Sequence, residues 1–154
     1  MHVHLFMTDI GPVHMAEENG AITEVRLAGE KALEGEMTRT PLLEKAAIQI
    51  SEYLLGHRNE FTLPLAPQGS DFAMGVWKEM MDIPYGKVRT YGELAKAIGR
   101  PGAARAVGQA CNRNPIAIMI PCHRVIGAGG KLTGYAAGIA LKERLLELER
   151  DALL

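Results

Sequence analysis

The chain has 154 residues, 47% hydrophobic and 23% charged, with a formal net charge of −1. That is enough to bury one ordinary core or two small ones, and no apolar run approaches the roughly 18 residues of a membrane span, so a globular protein with no membrane partner is expected. Met1 to Ile10 carries His and Asp where a secretory leader needs a long apolar stretch, and two cysteines, Cys111 and Cys122, are too few for a disulfide scaffold; both features point to the cytoplasm, where a thiol stays available for chemistry.

The charge is unevenly spread. A stretch from Pro64 to Ser70 suggests a boundary, with an N-terminal α/β structural domain over 1–69 and a second domain over 70–154. The first holds five Lys/Arg and ten Asp/Glu, the second twelve and eight. The basic second half is the one suited to meet phosphates, although two differently decorated surfaces would give the same count.

In chain order, Val3 to Met7, Val13 to Glu17 and Ala21 to Leu27 alternate or are rich in β-formers, and Asn19-Gly20 is a hairpin dipeptide. Antiparallel strands are expected. Thr40-Pro41 reads as N-cap and first helical residue of a helix whose apolar face, Leu42, Leu43, Ala46, Ile50, Tyr53 and Leu54, runs up to Gly56. After Ser70, Phe72, Val76, Trp77 and Met80 are spaced for one buried helical face over Asp71 to Met81, and Ile83-Pro84-Tyr85-Gly86 reads as a turn. Thr90 and Glu93 form a capping box for a helix ending at Gly99, and Pro101 restarts another almost at once. That second helix is rich in Gly and Ala. The pair reads either as a helix-turn-helix able to approach another backbone closely or as a plain αα-corner.

The segment Arg113-Asn114-Pro115-Ile116-Ala117-Ile118-Met119-Ile120-Pro121-Cys122-His123-Arg124-Val125 delivers a thiol from an apolar run to a position beside a base and a cation. Such surroundings favour a thiolate nucleophile, but adjacent Cys and His also occur by chance in ordinary cores. The Asn114 amide can donate and accept at once, as pinning a reactive loop requires.

The longer string decides between these readings. Asn114-Pro115, Pro121 to Val125, Gly134-Tyr135 and a closing helix with Leu145-Leu146 and Glu149, together with Ile83 to Gly86, Tyr91 and Arg105-Ala106-Val107-Gly108, resemble the O6-alkylguanine-DNA alkyltransferase family. The resemblance covers residues 70 to 150; residues 1 to 69 agree in general plan.

It implies an α+β fold: a small N-terminal antiparallel sheet with a helix, ribonuclease-H-like, then a mainly helical domain with a winged helix-turn-helix. It implies single-turnover, irreversible transfer of an alkyl group from O6-alkylguanine in DNA to Cys122, with no cofactor. Glu149 would orient His123, which would reach the thiol through a water, and Asn114 would bridge the recognition-helix end to the active-site loop. Tyr135 would hydrogen-bond the departing guanine, beside Val125 and Ala136 in the pocket. The partner would be double-stranded DNA, bound through its minor groove by a monomer, with the target nucleotide flipped out at a cost of a few kcal/mol. Arg105 would fill the vacated space, Tyr91 would push the target phosphate, and Thr90, Gly92, Arg100 and Ala104 would make further DNA contacts.

Relatives vary at the position of Ala136, which leaves the preferred alkyl group open. Some relatives hold zinc in the first domain, but with no cysteine before Cys111, His2, His4, His14 and His57 make no such site here, and no metal is expected. Cys111 is expected to be packing. Three other functions have less support: a non-catalytic binder of alkylated DNA, which would lack the cysteine; a Cys-His hydrolase, which would need an oxyanion hole; and a helix-turn-helix regulator with an idle thiol.

Overall fold

Alternation in the first residues builds a sheet. In the computed structural model, which describes residues 1–153, β1 (His2–Thr8), β2 (Gly11–Glu18) and β3 (Ala21–Arg26) form an antiparallel meander. Asn19 and Gly20 both take positive φ, 52° and 80°, as the two central residues of a tight hairpin turn must. One strand of this sheet was not expected: β4 (Glu36–Met37) pairs with His2 and Val3 of β1 in parallel, giving the order β3-β2-β1-β4. Two exposed residues carry no alternation, so nothing in the sequence marks them.

Helix α1 (Pro41–Leu54) is capped by Thr40, whose side chain accepts from the Leu43 N–H. It buries Leu43, Ala46, Ile50 and Tyr53, whereas Leu42 and Leu54 are only half-buried. Gln49 is buried on the same face because its amide is satisfied twice by Thr62, at 2.8 and 3.0 Å.

The chain divides into two units, Met1–Gln68 with Pro115–Met119, and Gly69–Asn114 with Ile120 onward. The return of Pro115–Met119 to the first unit is carried by β3: the Val25 N–H donates to Pro115 O at 2.9 Å and the Ala117 N–H donates to Val25 O at 3.1 Å.

In the second unit α2 (Asp71–Met81) buries Ala73, Val76, Trp77 and Met80, and Phe72 instead lies half-buried beneath the Arg100 guanidinium. The Trp77 indole N–H donates to Ala110 O at 2.9 Å, fixing α2 on α4 (Ala104–Asn112). Between them, β5 (Arg89–Thr90) leads into α3 (Tyr91–Ala97), whose capping box has both arms formed. α3 stops at Gly99, where φ is 77° and the Arg100 N–H returns to Ala95 O. Helix α4 starts later than Pro101 suggests: Pro101 and Gly102 remain in the turn, and Ala103 supplies no side-chain cap.

Further on, β6 (Val125–Ile126) pairs in parallel with β5, and a short 3-10 turn at Ala128–Gly130 closes by a Gly127 N–H to Lys131 O bond of 2.7 Å. Helix α5 (Ile139–Ala152) ends the unit. The whole is α+β, a small sheet with a helix followed by a mainly helical unit containing a helix-turn-helix and wing.

Trp77 is 3% exposed and carries the α2–α4 contact, so Trp77→Ala should cost about 3–5 kcal/mol in urea unfolding. A loss below about 1 kcal/mol would show that the α2–α4 packing does not depend on the indole.

Candidate active site

Cys122 opens a single 3-10 turn, Cys122–Arg124, at the end of an unbroken buried run from Ile116. Four residues earlier Ile118 has φ 69°, a conformation costly for a β-branched side chain, held here by complete burial. The thiol is 9% exposed. Asn114 leaves the end of α4 and donates through Nδ2 to Ile120 O at 2.8 Å, with Cys122 Sγ 3.2 Å from the same nitrogen. An N–H aimed at sulfur favours the charged thiolate over the neutral thiol.

Behind the thiol lies a buried charge cluster. The Glu149 carboxylate, on α5, is fully enclosed and hydrogen-bonded on both oxygens. The Gly86 N–H reaches Oε1 at 3.0 Å, Arg124 Nε reaches Oε1 at 2.8 Å, Arg124 Nη2 reaches Oε2 at 3.0 Å, and His123 Nε2 meets Oε2 at 2.6 Å. Arg124 also donates to Ile83 O at 2.8 Å and lies over the Tyr85 ring. This bidentate geometry is what the guanidinium fork provides and an ammonium cannot.

His123 is also fully buried, and that burial lowers its pKa from 6.5, with Glu149 opposing and Arg124 and Lys142 assisting. A neutral imidazole whose Nε2–H points at a carboxylate is a base through Nδ1. Cys111 behaves oppositely to a nucleophile. It packs 3.4 Å from Met80 Sδ, and burial pushes its thiol up to about 12, with the neighbouring Cys122 adding to the rise, so it stays protonated at neutral pH.

The other sequence-selected residues divide in two. Thr90, Tyr91, Gly92, Ala104 and Arg105 line one cleft of about 560 Å³ between α3, α4 and the wing, with Arg105 exposed. Arg100 is not in its wall; it is exposed, stacked on Phe72. Tyr135 and Val125 are buried, while Ala136 is exposed. Among the described residues no group of three or more His, Cys, Asp or Glu is arranged to hold a metal.

Sequence reasoning missed Arg124 as a structural partner and Lys142 altogether. It also missed Gln109, Asn112 and Thr133 in the cleft wall. Lys142 had a usable signal: with Leu145 and Glu149 it forms an i, i+3, i+7 set, one helical face, and all three are buried. The cleft residues had none, because they come from different elements with ordinary surface character.

A family model described as the 6-O-methylguanine DNA methyltransferase DNA binding domain matches residues 71–151. One described as the 6-O-methylguanine DNA methyltransferase ribonuclease-like domain matches residues 1–67. The chain is 46% identical over 153 residues to the methylated-DNA–protein-cysteine methyltransferase of Methanosarcina acetivorans, covering 97% of this chain and 98% of that one. It is 47% identical over 155 residues to the protein of the same name from Mycobacterium tuberculosis, covering 98% and 93%. The crystal structure of M. tuberculosis OGT in complex with DNA superposes with a TM-score of 0.93 at 44% identity, covering 99% of this chain and 94% of that one.

Two measurements probe the charge cluster. Glu149→Ala strands the Arg124 guanidinium in the interior and should cost about 3–5 kcal/mol in denaturant unfolding; a loss within about 0.5 kcal/mol, as for a surface site, would contradict the burial. His123 resists protonation when folded, so the unfolded chain takes up the proton first, and stability should begin to fall as pH drops below 6.5. His123→Gln should flatten that part of the stability curve. An unchanged curve would mean that His123 does not titrate differently on folding.

Proposed function

Because the chain belongs to the 6-O-methylguanine DNA methyltransferase family, we propose that it repairs DNA by moving an alkyl group from O6 of guanine onto Sγ of Cys122, once per molecule. The activity is direct transfer to a cysteine of the protein itself. The observation that carries the choice of residue is the position of Cys122 next to an Asn114 N–H and one residue before a buried, carboxylate-bound His123.

The chemistry follows from the protonation states. Neutral His123, its Nε2–H held by Glu149, takes the thiol proton at Nδ1 through a water, and Asn114 stabilises the resulting thiolate. The sulfur attacks the alkyl carbon; the S–C bond forms, the C–O6 bond breaks, and the electron pair leaves with guanine. The Tyr135 hydroxyl donates to the departing base, which makes it a better leaving group. Val125 and Ala136 bound the pocket. The product is a thioether, with no activated carbonyl for water to attack, so the protein is consumed.

A base inside a duplex cannot reach a buried thiol. In this reading a monomer binds the minor groove through the α3–α4 cleft, where Ala104 and Gly92 allow close approach and Thr90 meets the backbone. Tyr91 rotates the target phosphate, Arg105 occupies the vacated stack, and Arg100 adds a phosphate contact from outside the cleft.

Cys122→Ser should abolish transfer yet still bind lesion-bearing duplex in a gel-shift assay, since a hydroxyl is poorly ionised at neutral pH; residual transfer would displace Cys122 as the acceptor. Tyr91→Ala and Arg105→Ala should slow repair in duplex by about tenfold or more while changing reaction with free O6-benzylguanine by less than about threefold, because only the duplex requires flipping. Equal losses on both substrates would remove their assignment.

A further inference from the structure

Lys142 is a buried charge that no step of this mechanism uses. It sits in the first turns of α5, where the helix dipole opposes a cation, and it is fully enclosed, which lowers its pKa from 10.5. A lysine is kept in such a place only by specific partners. Its Nζ donates to Thr133 O at 2.8 Å and lies 3.5 Å from Tyr91 Oη, with the ammonium 5.7 Å from the centre of the Tyr91 ring. The Tyr91 hydroxyl donates to the same carbonyl, Thr133 O, at 3.0 Å. One carbonyl in the cleft wall therefore carries two donors, one from a residue that lines the cleft and one from a residue behind it. Gly134 permits the arrangement: its φ is 62°, and a Cβ there would stand 3.4 Å from Tyr91 Oη and 3.3 Å from Asn112 Nδ2.

We propose that Lys142 is a positioning residue for nucleotide extrusion, holding the Thr133 carbonyl so that the Tyr91 hydroxyl can move its hydrogen bond from Thr133 to the phosphate of the target nucleotide. This rests on the reading of Tyr91 given above. Without Lys142, the move would leave a carbonyl unsatisfied under a duplex that has displaced water from the cleft wall. With Lys142 in place, Thr133 O keeps one donor, and the ammonium beside Tyr91 Oη orients the phenol so that its own proton faces outward.

A double-mutant cycle on Lys142→Met and Tyr91→Phe tests this, with three reactions followed for each protein: duplex carrying one O6-methylguanine, free O6-benzylguanine, and iodoacetamide at Cys122. Lys142→Met should slow duplex repair about tenfold more than it slows the other two reactions, which share only the loss of the Lys142 charge near His123. In the Tyr91→Phe background the same substitution should cost clearly less than in wild type, because the ammonium then has no phenol to orient and only the bare Thr133 carbonyl remains. Lys142→Arg, which keeps a donor behind Thr133, should recover most of the duplex rate; Lys142→Gln takes the place of Lys142→Met in the cycle if the latter does not fold. Equal losses on all three reactions, or the full loss in both backgrounds, would overturn the proposal. Wild-type protein inert toward both alkylguanines would instead overturn the alkyl-transfer reading itself.

Discussion

A carboxylate with no exposure to water cannot exist alone, and the second unit is arranged around that constraint. Glu149 is reached by the Gly86 backbone, by His123 and by both arms of Arg124, so one anion gathers the Ile83–Gly86 turn, the Cys122 turn and α5. A buried ion pair of this kind adds little net stability over an apolar replacement, yet it is costly to break. Its value is positional. It leaves His123 one orientation and one useful tautomer, and it fixes the turn on which Cys122 stands.

That fixed turn separates the two thiols chemically. Cys122 has an amide donor on its sulfur and an imidazole following it, whereas Cys111 has a methionine sulfur against it and a pKa pushed up to about 12. Both side chains are largely enclosed, and what differs between them is the partner on each sulfur. Burial alone suppresses thiolate; a placed donor and an oriented base restore it. The cleft lined by Tyr91 and Arg105 is where the proposed extrusion of the alkylated base takes place.

Much of this was legible in the sequence. The Asn19-Gly20 turn, the Thr40-Pro41 start, and the Thr90/Glu93 capping box are local signals, and local hydrogen bonds settle them. The Pro121-Cys122-His123-Arg124-Val125 string was readable through its resemblance to the family. What was not legible depends on distant chain. Strand β4 owes its existence to two pairs with β1, Gln49 is buried because Thr62 answers it, and the late start of α4 follows from a turn that keeps Pro101 and Gly102. Glu149 was singled out only through the family resemblance, since its burial depends on Gly86 and Arg124, far away in sequence. Lys142 shares a helical face with Leu145 and Glu149, but its partners, a carbonyl and a tyrosine on other elements, were out of the sequence's reach.

The most direct test of the whole account is the intact mass of the protein after incubation with excess duplex carrying O6-methylguanine, followed by peptide mapping. One methyl group per molecule, gained in a single fast phase and located on the peptide holding Cys122, is the expected result. Continued turnover after that phase, or a methyl group on Cys111, would contradict it.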